Sequence, residues 1–442
     1  MKSTNRALAL AAVSILALAA ASSVAQAGAF GLREQSATLQ GMSFAGAASG
    51  AGGVSSTYWN PATITMKPGW NSEYHVSVVV PEAKIDPGPG TSPFLASPPF
   101  SGNFLPSGDI GETGVIPSSY SSYQISDSVW FGIASTAPYG LVTKPEPVWA
   151  GQIYARTSKV FSLNVNPILG WKVTDWLSIA AGPAVQYFDV RLERATAPGA
   201  AASTLTLEGD DVGIGATAGV NLTLPSQTNI GVGFRSSIHH DLEGKVRVPG
   251  TTLIPIEASL NTPEMVTVGI SQAFTPYFRV HAGFEWTNWS RLKTPTVTGP
   301  GGRTVTALVL NYDDGYFYSL GAEYDFSDRW TFRAGVAYED SPINDANRTP
   351  VIPDNDRIWA SVGATYKWSE KLSFDVSYTH IFVDDTKIDI REGREQLLRA
   401  GPVGLPLIAD VNDANVNIIS AAVKYRWDDP KVAVPAAVVR KY

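Results

Sequence analysis

Cysteine is absent from the 442 residues, histidine occurs only 5 times, and charged side chains make up only 17% of the chain. The first absence excludes a disulfide scaffold, a thiolate metal site and a cysteine nucleophile. It suits an oxidising compartment, where stray thiols are a liability. Charge is sparse against roughly 25% in ordinary soluble domains. With 10% aromatics, 40 Gly and 30 Pro, the chain is too apolar for disorder and too broken for a coiled coil. Basic residues are outnumbered, 33 against 40 acidic. Nucleic acid is therefore no expected partner, since phosphate binding needs a basic surface. Beyond residue 27 there is no unbroken apolar run long enough for a membrane helix. If the mature chain spans a membrane, it must do so as a closed barrel, which satisfies every backbone group between strands.

Residues 1–27 read as a secretory signal peptide. Lys2 and Arg6 give a positive start, Ala7 to Ala21 an apolar stretch, and Ala25-Gln26-Ala27 a cleavage signature. An N-terminal membrane helix fits less well, because the apolar run is short and ends in that signature. The mature chain is expected to begin near Gly28.

Much of the mature chain alternates with period two. Trp330, Phe332, Ala334, Val336 and Tyr338 share one face, opposite Thr331, Arg333, Gly335 and Ala337. The stretches 278–287, 358–368 and 417–427 repeat the pattern. Tight turns fall at Asp127-Ser128, Thr174-Asp175, Ser226-Gln227, Thr275-Pro276, Ser327-Asp328 and Glu370-Lys371. Between them lie longer connections near 86–113, 138–151, 195–204, 249–256, 293–304, 340–355 and 389–411. This short–long alternation is that of an outer-membrane barrel, with short periplasmic turns and long extracellular loops. Six turns and seven loops imply 14 strands. The fold class is all-β: a 14-stranded antiparallel transmembrane β-barrel spanning 70–427. Trp176, Trp330, Trp368 and Trp427 near the turns, and Trp286 with Trp289 near the other end, fit two aromatic girdles.

Residues 28–69 are rich in Ala, Gly and Ser and precede the first strand. They are expected to fold as an N-terminal hatch plugging the lumen, which is too wide for side chains alone to fill. Residues 428–442 are expected to form a C-terminal periplasmic extension.

The segment GAFGLREQSATLQGMSFAGAASGAGGVSSTYWNPATITM resembles the hatch of the FadL-type outer-membrane transporters. That family includes long-chain fatty acid transporters and toluene/xylene uptake channels. WFGIASTAPYGLVTK (130–144), NPILGWKVTDWLSIAAG (166–182), FRSSIHHDLEGKV (234–246), EWTNWSRL (285–292) and the stretch 333–382 extend the likeness over the mature chain. The resemblance implies loop capture, lumenal binding, hatch rearrangement and lateral exit at a kink in the third strand. Asn60, Pro61 and Ala62 match the hatch NPA motif. The third strand is placed at about 128–137, and the lateral opening around Gly132, Ser135, Ala137 and Pro138, since Gly loosens a strand and Pro lacks a ladder donor. The family usually ends on its last strand; here 15 further residues follow Trp427.

A fatty acid would need an apolar slot ending in a cation. Lumen-facing parity offers Arg235, Arg279 and Arg333 as carboxylate anchors, each weighed against an ion pair with an interior Glu or Asp. An uncharged aromatic hydrocarbon needs no anchor. Phe94, Leu95 and Phe100, with Trp149, are expected as exposed apolar loop groups that capture substrate. His239 and His240 point to opposite faces and make no metal site. No cofactor is expected. Hydrophobic small molecules, outer-membrane lipid and the barrel assembly machinery are the expected partners of a monomer. A general porin is disfavoured by the hatch, and an outer-membrane enzyme by the lack of any partner for His281 or Ser319.

Overall fold

The computed structural model describes residues 28–96, 103–247, 249–250, 252–391, 393–395 and 404–429. The signal peptide, Phe100 and the C-terminal extension beyond residue 429 lie outside the described residues.

One antiparallel sheet closes on itself, the first strand pairing with both the second and the last. Its strands are β1 (Trp70–Pro87), β2 (Gly114–Gln124), β3 (Val129–Thr136 and Gly140–Thr143), β4 (Thr157–Lys172), β5 (Leu177–Ala195), β6 (Thr204–Thr223), β7 (Thr228–Arg235 and His239–Arg247), β8 (Ile254–Asn261 and Met265–Ala273), β9 (Phe278–Thr287), β10 (Gly315–Asp325), β11 (Trp330–Asp340), β12 (Arg357–Lys367), β13 (Leu372–Val383 and Thr386–Ile390) and β14 (Leu407–Arg426). These are the 14 strands that the spacing of turns and loops implies. A loop hairpin, Thr296–Gly299 with Arg303–Ala307, adds to the edge of upper β8.

The alternation sorts the two faces as the sequence pattern predicts. On β1, Tyr74, Val76, Val78 and Val80 are exposed while His75, Ser77 and Val79 are buried. Polar residues inside and apolar residues outside is the reverse of a soluble sandwich, and it gives an outer surface that only lipid can cover. Trp176, Trp330 and Trp368 are exposed beside the short turns. Trp289 departs from the girdle expectation. It sits in a 3-10 turn, Trp289–Arg291, beyond the end of β9, so strand parity no longer applies, and it is buried in the lumen.

Residues 28–69 lie against the inward faces. They form one helical turn, Ala37–Gln40, and short 3-10 turns at Ala47–Ser49, Gly53–Tyr58 and Pro61–Met66. Glycine in the wall lets this backbone come close. A Cβ at Gly231 would lie 1.7 Å from the Ala48 carbonyl oxygen, and one at Gly233 1.8 Å from that of Trp59. Glu73 of β1 accepts the Val54 and Ser55 amides at 2.8 and 2.9 Å, satisfying donors at the start of a 3-10 turn.

Candidate functional site

The β2–β3 ladder stops at Ser119–Ser135, although β2 continues to Gly114 against β1 and β3 resumes at Gly140 against β4. A Gly111–Thr143 bridge closes the top. The wall thus has a window, bounded by upper β2 on one side and residues 136–142 on the other. Pro138 at the break lacks a ladder donor. Gly132, grouped with this opening from sequence, lies below it: its pairing with Ser122 is intact, and a Cβ there would meet Ile64. It makes room for the N-terminal segment and does not loosen the strand. Ser135 marks the lower rim, and Ala137 and Pro138 the break itself.

Unpaired backbone at membrane depth costs several kcal/mol per group, so the window must be satisfied from within. The N-terminal segment does this. Leu32 donates its amide to Pro138 O at 2.8 Å, and Gly140 to Phe30 O at 2.8 Å. The Gln35 side chain donates to Ala137 O at 2.7 Å and accepts the Ala137 amide at 3.1 Å. From the other side, the Ser118 and Tyr120 hydroxyls donate to Gln35 O at 2.7 and 2.9 Å. Gln35 therefore spans the two strands that fail to pair. Its role had no sequence signal, because the contact joins residues 102 apart.

Inside the window is a small chamber of about 50 Å³ lined by Pro138, Tyr139, Tyr58, Trp59, Arg33, Arg235 and Glu285. On its extracellular side lies an apolar cavity of about 410 Å³, lined by Leu141, Val160, Phe188, Leu242, Leu292 and Val351 among others. Between the two stand four rings. Phe30 packs edge-on against Trp289, Tyr139 and Phe188 at centroid distances of 4.9, 5.8 and 6.3 Å. Phe30 belongs to the N-terminal segment, so any withdrawal of that segment opens the floor and the window together.

The three candidate anchors separate. Arg279 is held by Glu323 at 2.6 Å and Asp325 at 2.9 Å. Arg333 is held by Glu323 at 2.5 Å, with Asp375 at 3.7 Å. Arg235 donates one hydrogen bond, to Tyr58 O at 3.1 Å, and stacks over the Tyr58 ring. Its Nε and Nη1 are buried without a partner. Among the loop groups, Phe94 is exposed, but Leu95 and Trp149 are not: they pack with Ile85, Ile110 and Leu407 under the extracellular loops, and Trp149 donates to Ala155 O. Apolar loop residues were free to bury against one another once the loops folded together.

Asn60 ties the segment to the wall. Its side-chain amide donates to Ala48 O at 2.7 Å and to Val220 O on β6 at 2.9 Å, while its oxygen caps the Pro61–Met66 turn through the Ala62 amide at 3.0 Å. Pro61 opens that turn, and Ala62 is fully buried beside Ile64 and Trp130. Asn60→Ala is expected to cost about 0.5–2 kcal/mol for the cap, and it also removes the bonds to the Ala48 and Val220 carbonyls. Its expected outcome is faster protease cleavage within 28–69 in an otherwise intact barrel.

Glu34, in the segment and outside the strands, is buried with neither carboxylate oxygen partnered. Burial pushes its carboxyl up to about 7. The docked segment therefore holds a proton that a released one, at the ordinary value of 4.5, gives up. Docking is favoured by protonation and weakens as pH rises through this range. Protease cleavage of the segment is expected to accelerate from pH 5 to pH 8, and Glu34→Gln to flatten that dependence.

Residues 18–427 match the family model described as outer membrane protein transport protein (OMPP1/FadL/TodX). The chain belongs to this family. The long-chain fatty acid transport protein of Escherichia coli (strain K12) is 27% identical over 436 residues, covering 88% of this chain and 95% of its own. Outer membrane protein P1 of Haemophilus influenzae is 24% identical, covering 86% and 90%. A Pseudomonas aeruginosa FadL homologue superposes with a TM-score of 0.81 at 21% identity, over 91% of this chain and all of its own. The Ralstonia pickettii toluene transporter TbuX gives 0.64 at 18% identity, over 90% and 100%. These structures share the fold. As a FadL-type protein the chain resides in the bacterial outer membrane and transports hydrophobic molecules; it is not an enzyme.

Proposed function

We propose that the chain carries long-chain fatty acids passively across the outer membrane and releases them sideways through the β2–β3 window. Apolar chains enter the 410 Å³ cavity, guided by exposed loop groups such as Phe94. Residues 28–69 act as the hatch: withdrawal of Phe30–Gln35 opens the aromatic floor and frees the window. The carboxylate meets Arg235 in the chamber beside Pro138. The observation that carries this reading is Arg235, a buried guanidinium with two unused donors next to the exit. A buried cation is costly without a partner, and a bidentate carboxylate supplies one. The E. coli relative's name agrees with this substrate class.

A second reading, monoaromatic hydrocarbon uptake, is favoured by the cavity itself, whose floor is four aromatic rings. The test is saturable binding of a radiolabelled long-chain fatty acid to the detergent-purified barrel, competed with toluene. Binding that toluene displaces only weakly supports the first reading. Absence of fatty-acid binding with saturable toluene binding supports the second.

A further inference from the structure

The wall is broken a second time, between β6 and β7. The ladder pairs Asp210 with Glu243 on one side of the break and Thr217 with Arg235 on the other. Residues 211–215 have no ladder partner on β7. β7 and β8 kink together, at 236–238 and 262–264, and stay joined through Arg235–Met265 and His239–Asn261. Ser236 bridges the seam at its lower end: its amide donates to Ala216 O at 2.9 Å and its hydroxyl accepts the Ala216 amide at 2.9 Å.

The two faces of this seam are unlike ordinary barrel wall. Toward the bilayer, Val212 is 59% and Ile214 72% exposed, the latter more than any other large apolar side chain among the described residues. Toward the lumen, Gly213 and Gly215 carry no side chain, and Ile238, 2% exposed, occupies the space. A Cβ on either glycine would come within 2.5 or 2.6 Å of Ile238. Behind it, His240 contacts Asp211 at 3.0 Å and Gln186 at 3.1 Å and stacks on Phe188. Phe188 and Leu242 line the apolar cavity on the extracellular side of the aromatic floor. Breaks of this kind in lipid are tolerated where the backbone lines a passage or is covered by protein. Here the cover is the Ile238 side chain, flanked by Ser236 below and His240 behind.

We infer that this seam is a second lateral portal, with Ile238 as its plug, through which uncharged apolar molecules pass between the cavity and the bilayer. The route leaves the cavity beside Phe188 and needs neither withdrawal of Phe30 nor the Arg235 guanidinium. It rests on the transport reading but not on the β2–β3 window.

The test uses a disulfide between Gly31→Cys and Tyr139→Cys, which pins the N-terminal segment across that window. In the pinned chain, Ile238→Gly is expected to raise cellular uptake of a radiolabelled fatty-acid methyl ester severalfold. Ile238→Trp is expected to remove whatever uptake the pinned chain retains. Equal uptake by all three overturns the portal. Because the Trp variant can fail to assemble, a second measurement uses the pinned chain alone: a diazirine-bearing methyl ester is photolysed on it and the adducts are mapped. Adducts on residues 211–216 and 236–242 support the portal; adducts confined to other strands overturn it. If the window reading is wrong, the oxidised and reduced forms of the pinned variant take up substrate equally, and the Ile238 comparison still reads the seam. If the transport reading is wrong, the unsubstituted chain takes up nothing, and the portal falls with it.

Discussion

Cells carrying the oxidised G31C/Y139C variant are expected to take up long-chain fatty acids no faster than cells lacking the barrel, and reductant is expected to restore uptake. The geometry favours this bridge. Bonds from Leu32 to Pro138 and from Gly140 to Phe30 flank the Gly31–Tyr139 pair, which makes it a non-hydrogen-bonded antiparallel pair. Such pairs hold their Cα atoms about 4.5 Å apart, within the range a disulfide accepts. A Cβ on Gly31 would sit 3.1 Å from the Trp289 ring, a contact that a slight ring shift relieves. With no native cysteine, no competing bridge forms. If substrate leaves through the window, pinning the segment keeps the window shut and Phe30 in the floor, where Trp289 and Phe188 remain against it after loss of the Tyr139 ring. Parent-like uptake by the oxidised variant would show that the segment need not withdraw.

Arg235→Met is expected to weaken fatty-acid binding and to leave the methyl ester unaffected. A hydrogen bond to a charged group contributes about 1.5–3 kcal/mol, which corresponds to a loss of about 10- to 150-fold in affinity. The ester comparison separates the anchor from structural effects, because the loss of the Tyr58 contact falls on both ligands alike. Arg279→Met and Arg333→Met should behave differently. Each leaves Glu323 with one of its two arginine partners, in a network that is buried at Glu323 and Arg333 and part-exposed at Arg279. Their expected signature is a lower melting temperature of the folded barrel, with the acid-to-ester ratio unchanged. Equal weakening of acid and ester by Arg235→Met would return Arg235 to the structural cations.

The difference among these arginines comes from register. Glu323 lies directly opposite Arg279 on one side and Arg333 on the other, while Arg235 faces Met265 and Thr217. Strand parity, which is local, placed all three in the lumen from sequence. Which cation finds an acid depends on pairing between strands, which the sequence does not display. The same distinction runs through the fold. Period-two alternation and the rhythm of short and long connections made the barrel and its strand count legible. Pro138 signalled the β3 break, yet nothing in residues 236–238 marks the break in β7, since a missing ladder is a property of two strands. Trp149 and Leu95 read as exposed because loop packing brings together segments far apart in sequence. Trp289 left its strand for the turn beyond it and so entered the lumen. The short, small-residue character of 28–69 was visible, but Gln35 as the bridge across the window was not.

Withdrawal of the N-terminal segment from the window is read most directly by hydrogen–deuterium exchange on the purified barrel with and without a long-chain fatty acid. Leu32, Ala137 and Gly140 owe their amide protection to bonds between the segment and the window. Ligand is expected to accelerate exchange in peptides covering 28–36 and 136–142 while the β11–β12 ladder stays protected. Unchanged protection of both peptides at saturating ligand would contradict that withdrawal.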